Sequence, residues 1–149
     1  MSTRNADKAR QAQLFMGIYK DMTSDEFPTK ASEILSWTWT DFDDFQRKYG
    51  WGVSLENYVK RETVWNWFDG MGVLVRRNLI DGDLVYDKLN GPVSTQWQKW
   101  GDVILGLREK GVLGADSYAG FEYLAGEMVR IRRKKGVTWV PRFSPFQAR

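Results

Sequence analysis

The chain has 149 residues, 42% hydrophobic and 28% charged, which is enough length for one domain with a single core and too apolar for a disordered segment. It contains neither Cys nor His, which excludes disulfides, the usual zinc and iron–sulfur ligand sets, cysteine nucleophiles and every histidine-dependent triad. The net charge of +3 hides an asymmetry: no acidic residue follows Glu127, while Arg130, Arg132, Arg133, Lys134, Lys135, Arg142 and Arg149 are basic, so the preceding part of the chain carries −4. A basic tail on a mildly acidic body is not a whole-chain argument for nucleic acid.

Met1 to Gln13 is polar and has no apolar signal-like run, and no later window approaches a membrane span; the expected location is the cytoplasm. Ala12, Phe15, Tyr19 and Met22 fall at helical spacing and predict a first helix over about Asn5 to Met22. A second helix runs to about Ser36, starting either at a Ser24 cap or at Pro28. Thr40 and Asp43 resemble a capping box ahead of a short helix carrying Phe42, Phe45 and Tyr49, with Gly50 and Gly52 as its stop.

Ser54 is a good N-cap for the longest apolar pattern in the chain, Leu55 to Arg77, in which Val64, Trp65, Phe68, Met71 and Val75 leave only a narrow polar stripe of Glu62, Asn66, Asp69 and Arg76. Gly70 and Gly72 inside that helix predict a bend or a close backbone approach. Asp81 caps a short helix expected to end at Asn90 and Gly91, and Pro92 is placed at the first position of a new helix whose stripe is Val93, Trp97, Trp100, Ile104 and Leu107. Asp116 is read as the cap of a last helix carrying Tyr118, Phe121, Leu124, Met128 and Ile131, antiparallel to its predecessor. The whole is an all-α single-domain bundle of about six to seven helices over residues 1–135, followed by an extended aromatic and basic arm over 136–149.

The stretch Gly72-Val73-Leu74-Val75-Arg76-Arg77-Asn78-Leu79-Ile80-Asp81-Gly82-Asp83-Leu84-Val85-Tyr86-Asp87, followed by Trp97 and by Phe121-Glu122-Tyr123-Leu124, resembles a prokaryotic family known as domain of unknown function 4760. The similarity extends over roughly Tyr58 to Arg133. It implies a helical domain, and the family has no agreed activity or catalytic residues to carry over. Some of its members have an N-terminal membrane segment, which this sequence does not show.

Asp81-Gly82-Asp83 with Asp87 lacks the ligand order of a calcium loop, and helix capping accounts for the first two. Asp41, Asp43 and Asp44 are weighed as an acid–base pair against their simpler use at a helix N-terminus. Gly70-Met71-Gly72 is no phosphate loop, since neither strand nor lysine stands in register. No catalytic, cofactor or metal residue is assigned, and no cofactor is expected.

Two sets of residues remain. Trp139, Arg142, Phe143 and Phe146, on a proline-containing arm with no core of its own, are interface-type residues and the expected protein-binding site. Arg132, Arg133, Lys134 and Lys135 form a candidate phosphate-binding run, for which a dipole-favoured helix C-terminus is the competing explanation. The expected function is a non-catalytic protein-binding module, an accessory or structural subunit of a hetero-complex; the alternative is a nucleic-acid-binding protein using the basic C-terminal segment. An enzyme working with carboxylates, Lys, Tyr or Ser, and a small-ligand site between helices, complete the set.

Overall fold

The computed structural model describes residues 3–141. Six helices and no strand occur among the described residues: α1 Thr3–Tyr19, α2 Glu26–Leu35, α3 Phe42–Tyr49, α4 Leu55–Arg76, α5 Gly82–Glu109 and α6 Ala119–Lys134. The all-α expectation holds. None of these helices is long and apolar enough to cross a membrane.

Local chemistry explains most of the boundaries. α1 passes into a single 3-10 turn, Lys20–Thr23. α2 starts two residues ahead of Pro28, because a proline in the first turn lacks only an N–H that has no intrahelical acceptor. The cap of α3 is Asp41, one residue later than expected: its carboxylate accepts from Asp44 N–H at 2.8 Å, and the Asp44 carboxylate accepts from Thr40 N–H at 2.9 Å. Ser54 caps α4 by accepting from Asn57 N–H.

Three helices end in the same way. Asn78, Gly111 and Gly136 are left-handed, and the residue after each donates five back, Leu79 to Leu74, Val112 to Leu107 and Val137 to Arg132. This is the Schellman arrangement, which satisfies orphaned terminal carbonyls.

Two expectations are corrected. The chain does not break at Asn90–Gly91: α5 continues through Pro92 for 28 residues. Val85, Leu89, Val93, Trp100, Ile104 and Leu107 are all buried, so a continuous helix buries both halves of the stripe, which outweighs the roughly 3 kcal/mol that an internal proline costs. The start of α6 is not capped by Asp116 either. Its N-cap is Tyr118, in left-handed conformation and with no capping side chain, and Asp69 of α4 accepts from Phe121 N–H at 3.0 Å instead.

α6 packs on both α4 and α5, and α2 lies on α4. Arg108 with Glu122 at one end, and Asn90 and Ser94 with Arg132 at the other, show α5 and α6 running antiparallel. The core is aromatic, centred on Trp100, whose ring meets Trp39, Trp65, Phe45 and Trp37 at 5.2–6.0 Å. Contacts of this kind add about 0.5–1.5 kcal/mol each beyond area burial. Trp37 and Trp39, in the irregular link between α2 and α3, are thus core residues. Lys99 is fully buried among them, its ammonium 4.5 Å from the Trp39 ring centre and donating to the Trp37 carbonyl.

Candidate functional site

A cavity of about 520 Å³ opens where the α3–α4 turn, the middle of α4 and the α5–α6 connection meet. Gly50 ends α3, and Gly52, at φ +91°, turns the chain so that Trp51 projects outward with 76% of its surface exposed. The Schellman end of α5 seats Val112 and Leu113 on the opposite wall. Tyr58, Arg61 and Glu62, on consecutive turns of α4, form the polar side.

Arg61 is the unusual residue. It is 4% exposed, its Nε and Nη1 have no hydrogen-bond partner, and its guanidinium lies 4.4 Å from the Trp65 ring centre and 5.1 Å from that of Tyr58. Ring faces attract its charge but offer no acceptor, so each unmatched donor costs on the order of 1–3 kcal/mol. Burial pushes its pKa below the usual arginine value, with Glu62 opposing that shift. Glu62 lies 3.6 Å from Nη1 and is itself committed: the Tyr118 hydroxyl donates to its Oε2, and Asn66 approaches the same oxygen at 3.4 Å. Of the polar stripe read along α4, Glu62 and Asp69 serve the start of α6, while Asn66 and Arg76 are exposed.

Trp51 and Val112 line the opening, and further exposed apolar side chains follow Trp51 in the chain. Trp51, Val53, Leu55 and Val59 on the turn and first part of α4, and Val112 across the opening, are all exposed, Leu55 at 71%.

The residues expected at the C-terminus fare differently. Arg142, Phe143 and Phe146 lie outside the described residues. Trp139 is 42% exposed and stacks on the guanidinium of Arg132 at 5.5 Å, while the Pro141 carbonyl accepts from Gln98 of α5 at 3.0 Å. The base of the arm thus lies along its own bundle. Arg132 does not belong to an exposed run: it is buried and donates to Asn90 Oδ1 at 2.7 Å and Ser94 Oγ at 2.9 Å. Arg133, Lys134 and Lys135 are the exposed cations of that run, Lys135 with its ammonium 5.6 Å from the Tyr86 ring centre.

The acidic candidates serve the fold. Asp41 caps α3, and the Thr40 N–H, with Lys48 and Arg47, holds the Asp44 carboxyl below its usual value, the opposite of what a general acid needs. Asp81 caps α5 by accepting from Asp83 N–H. Among the described residues no group of acidic side chains is arranged to hold a metal ion.

Nothing in the sequence singled out the Arg61 cavity. An arginine within an apolar helix was the one available signal, and its significance depends on which helices surround it. Searches of family models, curated proteins and solved structures find no match to this chain.

Proposed function

We propose that this chain is a non-catalytic protein-binding module, an accessory or structural subunit of a larger complex. It docks through the apolar surface around Trp51 and through the arm that starts at Val137. The observation that carries this reading is the exposure of Trp51 and Leu55 beside Val53, Val59 and Val112. Exposed apolar side chains grouped in a short stretch of chain around a protruding tryptophan have the composition of an interface centre, where Trp contributes most per residue. Covering Trp51 and Leu55 removes apolar area worth about 1.5–3 kcal/mol for each side chain. Half-exposed Trp139, at the start of the arm, supplies a second anchor.

The test is native mass spectrometry of the protein isolated from its source cells. The wild-type chain is expected to carry a partner polypeptide in fixed stoichiometry, lost in Trp51→Ser/Leu55→Ser and weakened in Trp139→Ser, with helical circular dichroism unchanged. Recovery as a bare monomer, or retention of the partner by the double variant, refutes the reading. Steeply salt-dependent retention on nucleic acid, abolished by neutralising Arg133 and Lys134, would select the alternative.

A further inference from the structure

We infer that the cavity between the α3–α4 turn, α4 and the α5–α6 connection is a small-molecule site for an organic monocarboxylate. The carboxylate accepts from the Arg61 guanidinium, and an apolar body lies against Trp51, Leu107, Val112 and Leu113. The site shares Trp51 and Val112 with the proposed docking surface, but the inference rests on Arg61 in the interior of the cavity, and binding of a small molecule by the isolated chain tests it without a partner.

Its volume of about 520 Å³ falls within the usual range for ligand pockets. A buried cation is normally matched by an acceptor, and none of the neighbours of Arg61 serves as one for Nε. Tyr58, Trp65 and Phe45 present rings, and Glu62 stands beyond hydrogen-bond distance of Nη1 with its Oε2 held by Tyr118. Nε and Nη1 are themselves closed off, so an incoming carboxylate meets the guanidinium at Nη2, the nitrogen that is not enclosed, and gives this cation an acceptor in the charge-assisted form for which it is best suited. Glu62 also sets the charge that the site tolerates. Because Glu62 already opposes the charge of Arg61, each further negative charge on a ligand adds repulsion, which favours a monoanion over a dianion. The opposite wall is Leu107, Val112 and Leu113, with Trp51 at the mouth, so the rest of the ligand is aliphatic or a single ring.

The test uses sodium octanoate as probe and 1-octanol as its uncharged counterpart. The Arg61 Nε–H and Trp51 indole N–H resonances of the full chain are followed by NMR. Octanoate is expected to shift both along one saturable isotherm and to bind at least about tenfold more tightly than octanol. Arg61→Gln should abolish that preference. Because a buried arginine is hard to replace without unfolding, Val112→Trp, at an exposed position on the rim, is the second variant. It should weaken octanoate at least about tenfold by occluding the mouth, with the melting temperature unchanged. The inference is overturned if octanoate binds no better than octanol, if the shifts fall on other residues, or if Val112→Trp leaves the affinity intact.

Discussion

Gly72 of α4 lies against the backbone of Gly120 of α6, so closely that a Cβ on Gly72 would overlap the Gly120 carbonyl group. Gly120 in turn is pressed against Asp69 and Val73. This crossing sets the depth at which α6 docks, and with it the reach of Asp69 to Phe121 N–H and of Tyr118 to Glu62.

Gly72→Ala is therefore expected to destabilise the fold by at least about 3 kcal/mol, since backbone and not a flexible side chain must give way. Gly70, two residues earlier, is exposed and a Cβ there meets nothing within 4 Å. Gly70→Ala should stabilise by about 0.5–1 kcal/mol through helix propensity. Urea unfolding of both variants reads the opposite signs.

Gly91 distinguishes a continuous α5 from a break before Pro92. In the continuous helix Gly91 is not left-handed and a Cβ there has open space, so Gly91→Ala should raise stability by about 0.5–1 kcal/mol. At a helix end with glycine in the left-handed position the same substitution would lower it by a similar amount. Thermal unfolding of Gly91→Ala gives the sign.

Lys99 makes the fold sensitive to alkaline pH. Burial lowers its pKa to about 8 from 10.5, so between those values the unfolded chain holds more protons than the native one. Stability attributable to this residue then rises with pH, because the charged form is the one that burial penalises. Comparison of wild type with Lys99→Met at pH 7.5 and pH 9.5 should show the difference moving in favour of the wild type by about 2 kcal/mol. A difference that does not change with pH would mean that Lys99 keeps its proton when buried and that its pKa is not lowered.

Tyr118 contributes in the other direction. Burial, followed by the hydrogen bond to the Glu62 carboxylate, raises its pKa above the ordinary tyrosine value. Its contribution is present below about pH 10, the unfolded tyrosine value, and is lost as pH rises beyond that. Tyr118→Phe is expected to cost about 1–3 kcal/mol at neutral pH, with Glu62 left partly unmatched. The gap between the two proteins should close above pH 10. Paired denaturant curves at pH 7 and pH 10.5 measure it.

Much of the fold was legible along the chain. The helical period of α4 to α6, the Ser54 and Asp81 caps, and the glycine stops at Gly111 and Gly136 follow from spacing and side-chain chemistry, which act within one or two turns and need no knowledge of the rest of the molecule; Gly70 and Gly72 left a bend or a close approach open, and the packing of α6 selects the approach at Gly72. The shifted cap of α3 shows the limit of such reading, since Thr40 and Asp41 offer equivalent oxygens one residue apart.

Only the tertiary structure decided the rest. The stretch around Pro92 carries the local marks of a helix boundary, yet a buried face on both sides of the proline, packed on α6, keeps the helix continuous. Asp69 caps a helix about fifty residues away, and Arg132, one basic residue among several in the sequence, is drawn inside because Asn90 and Ser94 wait on α5 to accept from it. The cavity beside Arg61 belongs to the same class: the sequence placed an arginine on an apolar helix, but whether its donors find partners depends on which side chains the packing of α3, α5 and α6 brings within about 3 Å. Hydrogen bonds and packing are satisfied through space, and one helix cannot reveal what its neighbours supply.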